Sequence, residues 1–308
     1  MIQSKRIASG LLQLADPKIW TASLVPFILG NSLAFAATNH LYPVPALFAL
    51  IVLILVEISK NGFNEYFDFV SGADQYVTAE NKTPFSGGKK VIVNGILSLA
   101  EVGWISIIFL ILALIASIPV ILFRPGLIWF GLVGVLLSVA YSIPPLSLSY
   151  RGFGEVAVGF TFGPLIVNGT YFLHTATLDQ APILLSIPLG FMIAAVLWIN
   201  EIPDVEADRK AHKWNLVARL GREKAVPGYL FLLICAYTMI AVSSILLRSP
   251  WVILAFSTLF IAIPAYKHLR RHVSNTKELM KANGWTIQTY LLTGILLSIS
   301  SLIADILS

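Results

Sequence analysis

Residues Pro43 to Asp74 read PVPALFALIVLILVEISKNGFNEYFDFVSGAD, and the fold turns on how that run is divided. From 43 to about 63 it is almost wholly apolar. A helix needs ~20 such residues to cross the hydrocarbon of a bilayer. The apolar run ends directly on Asn64, Glu65 and Asp68, and a further acid, Asp74, follows Gly72. The pattern recurs at Asn200, Glu201 and Asp204 (NEIPD), again closing an apolar run. A membrane-crossing helix that ends on Asn, Glu and Asp, twice, needs a chemical reason.

The rest of the chain fits the first half of that reading. Of 308 residues, 57% are hydrophobic and only 12% charged; mean hydropathy is +0.81. A soluble domain carries about twice that charged share, ~25%. Nine apolar runs stand out, roughly 20–37, 43–63, 97–123, 126–143, 153–175, 182–200, 226–247, 250–265 and 286–306. The expected fold is therefore all-α, a polytopic membrane protein with nine transmembrane helices. The lone Cys235 cannot form an internal disulfide. The N-terminal stretch MIQSKRIASGLLQLADPK lacks the apolar core and cleavage pattern of a signal peptide, so the first span is expected to be retained.

Positive charge fixes an orientation. With the N-terminus in the cytoplasm and nine spans, 19 of the 21 Lys and Arg residues fall on cytoplasmic segments or helix ends; Arg124 and Arg248 are the exceptions. This is the positive-inside pattern. It accounts for the net charge of +5 without nucleic-acid binding. Half of the 16 acidic residues also lie there, in two windows: Glu65, Asp68, Asp74 and Glu80, then Glu201, Asp204, Glu206 and Asp208. A cell-membrane protein with its active site open to the cytoplasm is expected.

In the second window, NEIPDVEADRKAHK, Asn200, Asp204 and Asp208 are four apart and share a face if the helix continues. Pro203 stands in the way of that continuation. Carboxylates at this spacing repel. Carboxylate and amide oxygens are hard ligands, so a divalent cation would offset the repulsion. In the first window Asn64 and Asp68 repeat the spacing, and a helix break at Gly72 would turn Asp74 back toward them. The two windows read as facing half-sites. Lys82, Arg151, Arg209, Lys210 and Lys213 lie close by. Acid, metal and base around one cavity is an arrangement that holds a diphosphate, with apolar helices below to take a hydrocarbon tail. Solvated surface charge is the plain alternative for either window alone; the recurrence of N-E-x-x-D argues against it.

Other residues carry less. His268 and His272 are four apart but have no carboxylate near them in sequence, and read as a surface pair. Glu57, Glu101 and Glu155 read as capping or interfacial. Six tryptophans, Trp20, Trp104, Trp129, Trp198, Trp251 and Trp285, mostly sit near span ends, as an interfacial belt does. In YSIPPLSLSYRGFGE, two prolines and two glycines mark a structured turn. Tyr141 precedes it, where an aromatic face could stabilise an allylic cation or simply lie at the interface.

Together these residues resemble the UbiA-type intramembrane prenyltransferase superfamily, with its aspartate-rich motifs N-(D)-x-x-D-x-x-x-(x-x)-D and D-x-x-x-D. The resemblance runs along nearly the whole chain. It includes ADPKIWTASLVPFILGNSLA, the YSxPP turn and NLVARLG. NEYFDFVSGAD, KTPFSGG, YRGFGE and NEIPDVEADRKAHK look most like the branch that attaches a polyprenyl chain to 1,4-dihydroxy-2-naphthoate for menaquinone. Glu65 stands where the family often has Asp, Asp16 where arginine is common, and Lys82 in place of an arginine. The resemblance implies one domain over 1–308, with motif-bearing halves at about 1–150 and 151–308, and helices around a lipid-facing cavity capped by the two loops. It implies that Asn64, Asp68, Asp74, Asn200, Asp204 and Asp208 bind Mg2+-diphosphate. Lys82, Arg151, Lys213 and Arg209 would meet phosphate oxygens, and Tyr141 would line the reacting centre. The partners are then a prenyl diphosphate, a small aromatic or lipid acceptor and membrane lipid, with no obligate protein partner. The rivals are a 4-hydroxybenzoate-like or geranylgeranylglyceryl phosphate acceptor, a UbiA-type terpene cyclase, and an ion-coupled transporter.

Overall fold

The computed structural model describes residues 2–18, 20–78, 83 and 88–306, all helix, turn or loop with no strand among them. Eight helical segments are long and apolar enough to cross a membrane; Leu127–Ser142 is apolar but shorter. Nine crossings is an approximate count, and each of the nine apolar runs of the sequence falls on a helical segment. They are α2 (Thr21–Thr38), α3 (Pro43–Ser71), α4 (Leu99–Phe123), α5 (Leu127–Ser142), a composite of α6 (Gly154–Phe160) and α7 (Ile166–Thr175), α8 (Gln180–Glu201), α11 (Arg222–Leu246), a 3-10 stretch leading into α12 (Leu259–His272), and α13 (Thr276–Ile306). Three short helices lie outside this set: α1 (Ile2–Ala15), α9 (Val205–Lys210) and α10 (Leu216–Leu220).

Local chemistry sets the boundaries. α3 outruns its apolar stretch, running through Gly62 to Gly72, which caps it at φ +85 with its N–H on the Phe69 carbonyl. Asn64, Glu65 and Asp68 are therefore helical, and Asp74 lies beyond the cap. α4 starts at a capping box between Ser98 and Glu101, so Glu101 is indeed a cap. Between α6 and α7 the backbone opens into a π turn at Thr161–Leu165, where Pro164 offers no N–H.

α8 is the central element. Leu185, Leu189, Met192, Ile193, Ala195, Trp198 and Ile199 are all buried along it. It packs on α6, α11 and α13. Against α6 and the π turn the approach is close: a Cβ on Gly163 would come within 2.7 Å of the Gly190 Cα. In lipid, helices associate through such small-residue contacts, because apolar burial alone gains little there. The outer side of α4 exposes Trp104, Ile108, Ile111 and Ile115, a surface suited to acyl chains. Successive spans alternate in direction, so the C-terminal ends of α3, α5 and α8 share one end of the bundle. α1 is clamped there by the Arg6–Glu101 ion pair and by Gln13, which donates to the Lys89 carbonyl at 2.7 Å.

Candidate active site

Both acid windows meet at that shared end. Asp68, on the last turns of α3, is 3% exposed. Its Oδ2 accepts from Asn64 Nδ2 at 3.0 Å and from Lys213 Nζ at 3.0 Å. Its Oδ1 accepts from the Tyr150 hydroxyl at 2.6 Å. Lys213 follows α9 and lies 4.0 Å from Asp208 Oδ1, so one ammonium joins the first window to the second. Asn215 Nδ2 donates to Asp208 Oδ2 at 2.8 Å while its Oδ1 caps α10.

After Gly72 the chain reverses. The Asp74 N–H returns to the Asp68 carbonyl at 3.4 Å, and Asp74 Oδ2 is buried with no hydrogen-bond partner. Gly88 (φ +67) lies against this carboxyl; a Cβ there would come within 2.3 Å of Oδ2. Asp68 and Asp204 both act on Asp74 electrostatically. Burial, then Asp68, then Glu65 push the Asp74 carboxyl up to about 9. Burial lifts Asp208 to about 6, with Lys213 working against it. Burial lowers the Lys213 pKa, but Asp68 and then Asp208 outweigh it and hold the ammonium well above its ordinary range. Burial and then Asp68 push the Tyr150 phenol up, so it remains a donor. A crowded set of acid oxygens, with Asp74 Oδ2 unmatched and one lysine bridging Asp68 and Asp208, suits a divalent cation.

Several expected residues behave differently. α8 ends at Glu201, and residues 202–204 form a turn around Pro203, so Asn200, Asp204 and Asp208 do not lie along one continuous helix. Asn200 Oδ1 accepts from Asn283 Nδ2 of α13 at 2.6 Å. Asp204 sits at the N-cap of α9, and its carbonyl receives the Asp208 N–H at 2.8 Å. Arg209 turns its Nε to the Ala218 carbonyl at 2.6 Å. Arg151 is exposed and lines an open cleft with Tyr150, Trp214 and Arg219; Arg219 Nη2 donates to its carbonyl at 2.8 Å. Lys82 lies outside the described residues.

The structure adds Tyr150, which the sequence reading did not single out, and gives Glu65 and Glu155 definite partners; Tyr150 lies in the same turn that Tyr141 begins. Glu65, 1% exposed, accepts backbone N–H groups of Lys89 at 2.6 Å, Lys90 at 3.1 Å and Ile92 at 3.1 Å. It pins the loop after the first window to α3. Glu155 is a tie between loops: its Oε1 accepts the Leu216 N–H at 2.9 Å. On α12 and α13, Glu278 comes to His268 and His272, with ligand atoms within 4.8 Å of one another, so that pair does have a carboxylate; Lys281 also holds Glu278 at 3.2 Å.

Tyr141 opens onto a cavity of about 290 Å³ between α3, α4, α5, α6 and α7. Its walls are almost wholly apolar, among them Leu53, Val56, Leu137 and Phe162. The Tyr141 hydroxyl lies within electrostatic reach of Glu201, Lys213, Glu155 and Asp68. The acid centre and the apolar chamber are thus neighbours, with Tyr141 between them.

The model of the UbiA prenyltransferase family matches residues 23–291. The chain is 30% identical to the 1,4-dihydroxy-2-naphthoate octaprenyltransferase of Bacillus subtilis, over 98% of this chain and 95% of that one. It is 29% identical to the enzyme of the same name from Escherichia coli, over 78% of each chain. Among solved structures, a UbiA homolog from Archaeoglobus fulgidus bound to GPP and Mg2+ has a TM-score of 0.63 and 18% identity, covering 94% of this chain and 99% of that one. At that identity the likeness is one of fold.

Proposed function

The chain belongs to the UbiA prenyltransferase family, and from that premise we propose that it transfers a polyprenyl group from an allylic diphosphate to 1,4-dihydroxy-2-naphthoate, a step toward menaquinone-type quinones. The names of the relatives at 29–30% identity support the acceptor. The observation that carries the site is the junction at Lys213, 3.0 Å from Asp68 and 4.0 Å from Asp208.

Asn64, Asp68, Asp74, Asp204 and Asp208 would hold Mg2+; the unmatched Asp74 Oδ2 and the all-oxygen donor set fit it. Asn200 would join them by leaving Asn283. A divalent cation held there would supply the positive charge that offsets the departing pyrophosphate. Lys213 meets phosphate oxygens that the carboxylates repel, and Tyr150 keeps Asp68 oriented. Arg151 would approach from its loop, Lys82 is expected from the sequence to add a further cation, and Arg209 supports α10. The allylic C–O bond breaks with its electron pair going to pyrophosphate. A ring carbon of the acceptor bonds to the allylic carbon, and the ring loses its carboxyl group as CO2. Tyr141 turns a ring face to the cation, and the apolar chamber takes the tail and excludes water. The N-terminus and the acid end face the cytoplasm of a cell membrane, as the basic loops favour.

The test supplies purified protein with a prenyl diphosphate, Mg2+ and a panel of acceptors, and identifies products by mass. Prenylated naphthol with loss of CO2 is expected. Product only with glyceryl phosphates, or a cyclised terpene without any acceptor, would overturn the acceptor assignment.

A further inference from the structure

Deeper along α3 stands a second pair of charges that the reaction above leaves unused. Glu57 and Lys60 line the same cavity as Tyr141. Positions 57, 60, 64 and 68 follow the three-and-four spacing of one helix face, so they continue the stripe of Asn64 and Asp68. At ~1.5 Å of rise per residue, Lys60 branches from α3 ~6 Å and Glu57 ~10 Å below Asn64. Ionisable groups at such depth are costly and seldom without use.

The two are held apart. The Ser23 hydroxyl donates to Glu57 Oε1 at 2.7 Å. Glu57 is 4% exposed, and its Oε2 is buried without a partner. The Lys60 ammonium stands 5.4 Å from the centroid of the Phe162 ring, and among the described residues it forms no ion pair. The other charges acting on Glu57, those of Lys89 and Asp16, satisfy each other at 2.7 Å. An ammonium and a carboxylate one turn apart in an apolar wall gain most by pairing directly. Kept apart, they leave a cation on an aromatic face and a hydrogen-bond acceptor, both at one chamber.

We propose that Glu57 and Lys60 bind the acceptor and select an aromatic hydroxy acid. Lys60 pairs with its acid group, Glu57 Oε2 accepts from a ring hydroxyl, and Phe162 borders the ring. A single lysine beside a carboxylate suits a monoanion; a phosphate acceptor would bring a second negative charge against Glu57. This rests on the prenyl-transfer reading and names the residues that choose the acceptor.

Initial rates are measured with acceptor and prenyl diphosphate varied separately. Lys60→Met should raise the acceptor KM about tenfold and hold the prenyl-diphosphate KM within about twofold. Lys60→Arg should restore most of the loss, and Glu57→Gln should raise the acceptor KM about threefold. Dihydroxynaphthalene, which lacks the acid group, should be used equally by wild type and Lys60→Met. Both constants moving together, neither moving, or an equal loss with dihydroxynaphthalene overturns the proposal. Binding is also read without turnover, by titrating 1-hydroxy-2-naphthoate and following its fluorescence. Weaker binding by Lys60→Met is expected; equal binding, or none by wild type, overturns the site. Hydroxynaphthoate binding that depends on Lys60, in a protein that transfers no prenyl group, strikes the prenyl-transfer reading instead.

Discussion

The Lys213 ammonium lies 3.0 Å from the Asp68 carboxylate, across 145 residues of sequence, and it is the bond that makes one site of two loops. The buried carboxylates of Asp68 and Asp208 depend on it for charge balance. Removing one partner of a buried pair costs ~3–5 kcal/mol. Lys213→Met should therefore cut kcat/KM at least ~100-fold and lower Tm, with Lys213→Arg retaining part of the activity. Steady-state assay and thermal unfolding in detergent check both.

Tyr150→Phe removes one donor, at 2.6 Å from Asp68 Oδ1, and leaves the ring beneath Lys213. A hydrogen bond to a charged group is worth ~1.5–3 kcal/mol. The expected loss in kcat/KM is ~10- to 100-fold, with a Tm lowered by a few degrees. Wild-type kinetics would remove Tyr150 from the site.

Glu65→Gln tests a different link. The glutamine can accept at one oxygen where the carboxylate serves three N–H groups of residues 89–92. The segment over 88–92 should loosen, and tryptic cleavage after Lys89 and Lys90 should quicken. Activity should fall less than in Asp68→Ala, because Glu65 holds backbone rather than substrate. Unchanged proteolysis contradicts this.

Protonation gives a signed prediction. In the metal-free fold, burial holds Asp74 up to about 9 and Asp208 up to about 6; unfolded, both titrate near ~4. The folded chain then binds more protons, so stability falls as pH rises from ~4 through about 6 and on toward about 9. Mg2+ bound at these acids would replace those protons. Its stabilising shift in Tm should be larger at about pH 9 than at about pH 6. A shift that shrinks with rising pH contradicts the account.

How much of this was legible follows from what each reading depends on. Spans are long-range averages of hydropathy, so eight emerged at full length, with Leu127–Ser142 as a shorter apolar helix. Asn64, Asp68 and Asp74 could be read because a helix and one glycine fix them. Asn200 escaped because the helix stops at Glu201 and α13 offers Asn283, a tertiary contact without local signal. Tyr150 escaped because its reach depends on the path of the turn over 143–153, while Tyr141 sat on a helix whose direction was known. Arg209 looked like a phosphate ligand by charge alone, but its Nε closes onto α10. Glu57 read as interfacial, since no spacing rule tells a capping acid from one that lines a chamber.

The central claim is that both acid windows serve one diphosphate. Its most direct test is the rate of prenyl transfer with saturating Mg2+ in Asp68→Ala and in Asp204→Ala, each assayed beside wild type. Each substitution alone should lower the rate by ~10³ or more, as removal of a charge-stabilising group at a reacting centre does. Full activity in either variant would contradict the account.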